Sequence, residues 1–221
     1  MRIQSSHHHA DRALDAYFSP PEAAFSLLEI EGSRLPQCIW EPAAGNGALV
    51  QPLEAAGFKV VASDIADYGL EGCLTGLDYL CAKRPHGVEG IVTNPPYKLA
   101  VEFAEKALKE APYLALLLRT NFLESTARLP FFRKHQPARI WISSRRLPMM
   151  HRHGWKGPQA PSNTCFAWFV WDAGSLQKRI VDWFDWKPIM SKQHAKIHTA
   201  DKRHNRSRSR SQGAQESLLL L

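Results

Sequence analysis
Asn94-Pro95-Pro96-Tyr97 is the stretch of this chain whose residue types and order specify chemistry most directly. It follows the β-branched run Ile91-Val92-Thr93, so it falls where a buried strand should end. In open α/β sheets, ligands bind just outside the carboxyl ends of the strands. The Asn94 amide oxygen can accept a hydrogen bond from an amino group, and the Pro95 carbonyl can accept a second. Tyr97 offers a ring on which a planar base stacks. The same four residues would also make a plain proline turn after a strand, and their surroundings must decide between the two.

A second group of residues lies upstream. Glu41-Pro42-Ala43-Ala44-Gly45-Asn46-Gly47 follows the apolar run Cys38-Ile39-Trp40. Gly45 and Gly47 permit positive φ and let a ligand approach the backbone closely. No Gly-Lys-Ser/Thr follows, which argues against a triphosphate. Val50 stands where G-x-G-x-x-G would put its third glycine, which disfavours a dinucleotide pyrophosphate. Glu41, an acid at a strand end, repels phosphate and attracts a cation. Asp64 ends the next strand, where an acid accepts from ribose hydroxyls. Asp78, sixteen residues before Asn94, can accept from an adenine amino group. A ligand with a cationic centre, a ribose and an adenine, but no phosphate, satisfies this set. S-adenosylmethionine is such a molecule.

The elements that must position these groups alternate in type. Pro20-Pro21-Glu22 opens a helix, with Ala24, Phe25, Leu27 and Leu28 on its buried face. Cys38–Trp40 reads as a strand, Ala48–Ala56 as a helix closed by Gly57, and Phe58–Ser63 as the next strand. An edge near Cys73–Leu77 and a strand over Gly90–Thr93 follow. Leu99–Lys109 is an amphipathic helix and Tyr113–Leu118 a strongly apolar strand. Phe122–His135 has helical character that Pro130 should kink or break. Arg139–Ser143 and Phe166–Trp171 are strands. This alternation predicts a doubly wound, mostly parallel sheet. The rhythm fails over Arg145–Asn163, rich in Pro, Gly, His and basic residues, and again in the tail, where Arg206-Ser207-Arg208-Ser209-Arg210-Ser211 cannot bury a core. The expected organisation is a flexible leader over 1–14, a domain over 15–190 with a candidate target-contact loop at 145–163, and a basic disordered tail over 191–221.

In order along the chain, these motifs resemble the class I methyltransferase core of DNA N6-adenine methyltransferases, of the small type carried by phages and mobile elements. They are a strand followed by Glu-Pro-x-x-Gly-x-Gly, a strand ending in Asp, Gly76-Leu77-Asp78-Tyr79-Leu80, and Asn94-Pro95-Pro96-Tyr97. Tyr17-Phe18-Ser19-Pro20-Pro21-Glu22 resembles the family's Tyr-x-Thr-Pro-Pro-Glu leader, with Ser19 in place of threonine. The likeness spans about residues 15–175. It implies a Rossmann-like, seven-stranded, mostly parallel sheet, and methyl transfer from S-adenosylmethionine to the exocyclic N6 of adenine in DNA, without metal. It also implies that Tyr17, Ser19 and Pro20 contact the cofactor, that Glu41, Gly45, Gly47 and Asp64 hold its methionine and ribose parts, and that Asp78 holds its adenine. Pro42, Ala43, Ile65, Tyr79 and Asn94 complete the cofactor's surroundings. Asn94, Pro95 and Pro96 form the catalytic turn that receives the target amino group, and Tyr97 stacks on the flipped base. Larger members carry a separate target-recognition domain for which this chain has no room. Target contacts therefore fall to the Arg145–Asn163 segment, with Arg145, Arg146, Arg152 and Lys156 for phosphates and Trp155 as a wedge or as loop packing. The same motif also serves enzymes acting on RNA adenine or on protein glutamine, and a non-catalytic nucleic-acid-binding module could keep the fold. Glutamine enzymes typically carry an extra N-terminal helical domain, for which the forty residues before Glu41 leave little space.

Charge favours a nucleic acid. Residues 1–118 hold nine Lys/Arg against fifteen Asp/Glu, whereas 119–158 hold nine basic residues and one acid, Glu124. The tail, 191–221, adds seven basic residues against two acids, so the net charge of +7 is concentrated in a middle stretch and the tail. At 221 residues, 44% of them hydrophobic, the chain is long enough for one well-cored domain. No apolar run approaches the roughly 18 residues of a membrane helix. His7-His8-His9 precedes no apolar signal core. Cys38, Cys73, Cys81 and Cys165 form no CxxC pair, and read as reduced packing residues of a cytoplasmic, metal-free and monomeric protein.

Overall fold
The computed structural model describes residues 18–149, 164–175 and 179–193. The chain runs through α1 (Pro21–Glu31), β1 (Cys38–Glu41), α2 (Val50–Ala55), β2 (Lys59–Asp64), β3 (Leu74–Thr75) and β4 (Gly90–Thr93). A 3₁₀ turn (Tyr97–Leu99) leads into α3 (Ala100–Glu110) and β5 (Tyr113–Arg119). A second (Thr120–Leu123) precedes α4 (Leu129–Lys134), β6 (Arg139–Ser143), β7 (Phe166–Asp172) and β8 (Ile180–Phe184). Two compact units divide between Trp186 and Lys187, and all of the strands belong to the first.

The strands form one sheet in the order β3-β2-β1-β4-β5-β7-β6-β8. β3, β2, β1, β4 and β5 run parallel, β7 is antiparallel to both β5 and β6, and β8 pairs parallel with β6. The sheet has eight strands instead of the expected seven. The extra one, β8, carries Val181 and Trp183 exposed, so no alternating apolar pattern announced it.

Period-two alternation assigns side chains to the two faces. On β5, Leu114, Leu116 and Leu118 pack with α3 through Phe103, Ala104 and Ala107. Tyr113, Ala115 and Leu117 pack on the other face with Leu27 of α1 and Leu53 of α2. On β7, Phe169 and Trp171 join the first cluster, and Trp168 and Val170 the second. Both faces of the central strands are therefore covered, as parallel sheets require.

Two helices differ from expectation. Pro130 does not kink a long helix; it sits in the first turn of α4, where its missing N–H costs nothing, and a 3₁₀ turn replaces the preceding residues. α2 begins at Val50, not Ala48, because Asn46 Oδ1 accepts from Ala48 N–H and holds those residues in the glycine loop.

A buried ionic cluster ties α1 to the antiparallel end of the sheet. Glu31 and Arg139 are 0% and 2% exposed, so they must satisfy each other. Arg139 Nε donates to Glu31 Oε1 at 2.7 Å, and Arg139 Nη2 donates to Glu31 Oε2 at 3.1 Å and to Asp172 Oδ2 at 2.7 Å. Trp141 Nε1 and the Tyr113 hydroxyl fill the remaining Glu31 sites at 2.6 and 3.1 Å. Burial, reinforced by the Glu31 carboxylate, pushes the Tyr113 phenol well above its usual range.

Candidate active site
β1 and β4 are neighbours at the point where the strand order reverses, the position at which open α/β sheets bind ligands. The glycine loop leaves β1 and the Asn94 turn leaves β4, so topology alone brings together two motifs separated by about fifty residues. Between them lies a cavity of about 310 Å³, within the roughly 300–1,000 Å³ of small-molecule sites.

The glycine loop is fixed to β2. Ala44 N–H donates to the Ser63 carbonyl at 3.0 Å, and Gly45 N–H donates to Asp64 Oδ2 at 2.9 Å. The second Asp64 oxygen accepts from Ala66 N–H at 2.9 Å. One carboxylate thus pins both the loop and its own turn, and each oxygen retains a lone pair for a ligand hydroxyl. Gly45 has φ +54°, and a Cβ there would lie 2.8 Å from Phe18 Cδ1. A side chain at this position would be strained and would press on the cavity wall.

Most of the predicted cofactor residues meet here. Pro42, Ala43, Gly45, Asp64 and Ile65 form one wall, while Asp78, Tyr79, Asn94, Pro95 and Pro96 form another. Ser19 borders a small adjoining cavity that Asn94 also lines. Pro20 caps α1, and Gly47, at φ +83°, shapes the loop without reaching the wall. Tyr17 lies outside the described residues.

Glu41 does not face the cavity. It is completely buried, with Oε1 accepting from Ala43 N–H at 3.0 Å. Its pKa is raised to about 8, chiefly by burial, with the nearby Thr93 hydroxyl and the Ala43 N–H offsetting part of the rise and the Asp64 charge adding a smaller part. It is therefore largely protonated at neutral pH, and a cation placed next to the loop would favour its ionised form.

Tyr97 occupies a different position from the rest of its motif. Asn94, Pro95 and Pro96 line the first cavity, whereas Tyr97 lines a second one, of about 310 Å³, with Leu118 and Phe122. Lys98 belongs to both walls. The Arg119 guanidinium carbon lies over the Tyr97 ring, 4.6 Å from its centroid, and Phe166 is tilted against the ring at 6.1 Å.

Sequence reasoning missed several wall residues. Phe18 and Tyr68 meet edge to face at 5.0 Å and 89°, and both line the first cavity with Leu77, Leu99 and Phe103. Phe18 lies inside the Tyr17–Glu22 leader, so that motif was the signal for it. Tyr68 sits in an irregular segment with no periodic pattern to mark it.

Of the predicted phosphate contacts, Arg145 is exposed but engaged in a two-pronged pair with Asp185, Nε to Oδ1 at 3.0 Å and Nη2 to Oδ2 at 2.9 Å. Arg146 is exposed. Arg152, Trp155 and Lys156 lie outside the described residues, as does the tail from residue 194. Among the described residues no group of three or more His, Cys, Asp or Glu is placed to hold a metal, and no helix is long and apolar enough to cross a membrane.

No family model matches the chain. No curated protein matches it either. Solved structures do. A protein from Listeria monocytogenes assigned to the class I S-adenosylmethionine-dependent methyltransferases superposes with a TM-score of 0.55 at 16% identity, over 83% of this chain and 72% of its own. A type I restriction-modification system methyltransferase subunit from Streptococcus thermophilus gives 0.52 at 11% identity, over 80% of this chain and 49% of its own. This chain thus spans about half the length of that subunit. A protein from Pyrococcus horikoshii assigned as an RNA methyltransferase gives 0.52 at 15% identity, over 76% of this chain and 90% of its own. The fold is the Rossmann-like α/β fold of the class I methyltransferases.

Proposed function
We propose that this protein transfers a methyl group from S-adenosylmethionine to the N6 amino group of adenine in DNA. The observation that carries the reading is the split of the Asn94–Tyr97 turn between two cavities that share Lys98. A donor in the first cavity and a planar acceptor against Tyr97 in the second would meet at Asn94 and Pro95.

The first cavity fits the donor. Among the described residues its wall carries two carboxylates, Asp64 and Asp78, and a single cation, Lys98, with the acid Glu41 buried behind the loop. This composition suits a ligand with a positive centre and polar hydroxyl and amino groups, and opposes a phosphate. Gly45 has no side chain to fill the space beside Phe18. S-adenosylmethionine, when bound, supplies an electrophilic methyl group on a sulfonium.

The chain's own residues do the rest by positioning and electrostatics. Asn94 Oδ1 accepts one N–H of the target amino group and the Pro95 carbonyl the other. This draws lone-pair density out of the aromatic ring and onto the nitrogen, and aims it across the turn. Tyr97 stacks on the base, which must leave its duplex stack to reach the site. The basic stretch over 119–158 supports a polyanionic acceptor. A restriction-modification methyltransferase subunit and a protein assigned as an RNA methyltransferase superpose equally well, so the choice of DNA rests on the motif resemblance.

The test is a calorimetric titration with S-adenosylmethionine, paired with transfer assays on DNA. The wild type should bind saturably and transfer. Asn94→Ala should bind with little loss and transfer nothing. Saturable binding with undiminished transfer by Asn94→Ala would overturn this assignment of the turn.

A further inference from the structure
We propose that the second cavity carries a phosphate clamp for the acceptor strand, formed by Lys98, Arg119 and Arg128. The proposal rests on the reading that the acceptor is a nucleic acid. The cavity floor is apolar and aromatic, from Tyr97, Leu118 and Phe122, while its polar wall holds, among the described residues, three cations and the Asn121 amide and no carboxylate. A glutamine side chain brings no negative charge to such a wall. A nucleotide brings both parts that the cavity complements, a flat base for the floor and a phosphodiester for the cations.

The two arginines are held differently. Arg128 is fixed: its Nε donates to the Phe122 carbonyl at 2.7 Å, and its Nη2 donates to the Asn121 and Glu124 carbonyls, both at 2.9 Å. Carbonyls orient the guanidinium without neutralising it, so a full positive charge stays at the wall. Arg119 ends β5 and lies over the Tyr97 ring, on a face where a base would stack. A base arriving on that face displaces the guanidinium, and the phosphate of the same nucleotide is the partner to which it moves. Lys98, exposed and one residue beyond Tyr97, adds a third charge where the two cavities meet. Arg119 thus acts as a positioning residue that trades an aromatic face for a phosphate as the base docks.

The experiment uses the full chain and a short single-stranded oligonucleotide with one adenine, made as DNA and as RNA. Binding is measured across a salt series and methyl transfer by steady-state kinetics, for wild type, Arg119→Gln, Lys98→Gln and Arg119→Lys. On the bound polymer, Arg119→Gln and Lys98→Gln should each reduce the slope of log K against log salt by about 0.7, the value for one lost phosphate contact on a single strand. Each should raise the KM for the oligonucleotide about tenfold with kcat nearly unchanged, while S-adenosylmethionine titrations of Arg119→Gln, whose site lies outside the first cavity, superimpose on wild type. Arg119→Lys should restore the salt slope, which a packing role for Arg119 would not explain. Slopes and KM values equal to wild type in both glutamine variants would overturn the clamp. If these changes occur on RNA alone, the clamp stands and the acceptor moves from DNA to RNA. A wild type that methylates no nucleic acid overturns the proposed function and the clamp together, whereas a methylating wild type with unaltered variants overturns the clamp alone.

Discussion
Glu41 lies buried behind the glycine loop without lining the cavity. Its pKa near 8 lies far above the ordinary carboxylate value of 4.5 because the folded chain denies it water. The folded state therefore binds a proton that the unfolded chain releases. The stability this provides is complete below about pH 4.5, erodes as pH rises, and is gone above about pH 8. Denaturant titrations should show Glu41→Gln losing less stability than wild type between about pH 5 and pH 8, the interval in which the unfolded chain has released the Glu41 proton and the folded chain still holds it. Ligand affinity should move the other way, since a sulfonium beside the loop favours the carboxylate. S-adenosylmethionine should bind wild type more tightly as pH rises, by at most about tenfold per unit, and level off above about pH 8. Glu41→Gln removes that dependence while leaving any ionisation of the ligand itself in place. Gly45 permits a second prediction at this scale. Gly45→Ala should fold with a loss of about 1 kcal/mol from its positive φ. It should also weaken cofactor binding about tenfold, equivalent to roughly 1.4 kcal/mol, as Phe18 is pushed into the cavity.

At the scale of elements, the Glu31–Arg139 cluster decides whether α1 stays on the sheet. Removing one partner strands a buried charge, so Glu31→Ala should cost about 3–5 kcal/mol in urea unfolding. Replacing both Glu31 and Arg139 with apolar residues of similar size should cost much less, because no unpaired charge then remains. The sequence foreshadowed neither the pair nor its partners: Glu31 and Arg139 lie 108 residues apart and meet only through the place of β6 in the sheet. The motif-bearing elements were far more legible. β4 matches its expected range of Gly90–Thr93 and β6 matches Arg139–Ser143, because apolar, β-branched runs bounded by turn residues leave little choice. The failures have local causes: Pro130 starts a helix where it was expected to break one, and β8 is a half-exposed edge strand with no alternation to detect. In the site, Gly45, Asp64, Asp78 and Asn94 were legible because backbone geometry and charge dictate their types. Tyr68 was not, since an aromatic lining a cavity looks the same in sequence as one lining a core, and Phe18 was marked only by the leader motif around it.

Across the whole molecule, the functional question is where the positive charge faces. Acids dominate the first half of the chain and surround the first cavity, while the basic middle stretch supplies Arg119 and Arg128 to the second. On the proposed function, that asymmetry would separate a cationic donor from a polyanionic acceptor within one domain. One phosphate contact expected of the 145–163 segment, Arg145, is engaged within the protein. Arg145 spends its planar fork on Asp185, so Arg145→Ala should reduce the salt dependence of DNA binding less than Arg119→Gln does. Equal reductions from the two would return the phosphate contacts to that segment.

The central claim is the acceptor atom, and product identification tests it most directly. Purified protein is incubated with methyl-labelled S-adenosylmethionine and separate DNA, RNA and protein acceptors, and each product is digested and resolved by chromatography. The label should co-elute with N6-methyldeoxyadenosine from the DNA digest. Label recovered only in methylated glutamine, or in no acceptor despite saturable cofactor binding, would contradict it.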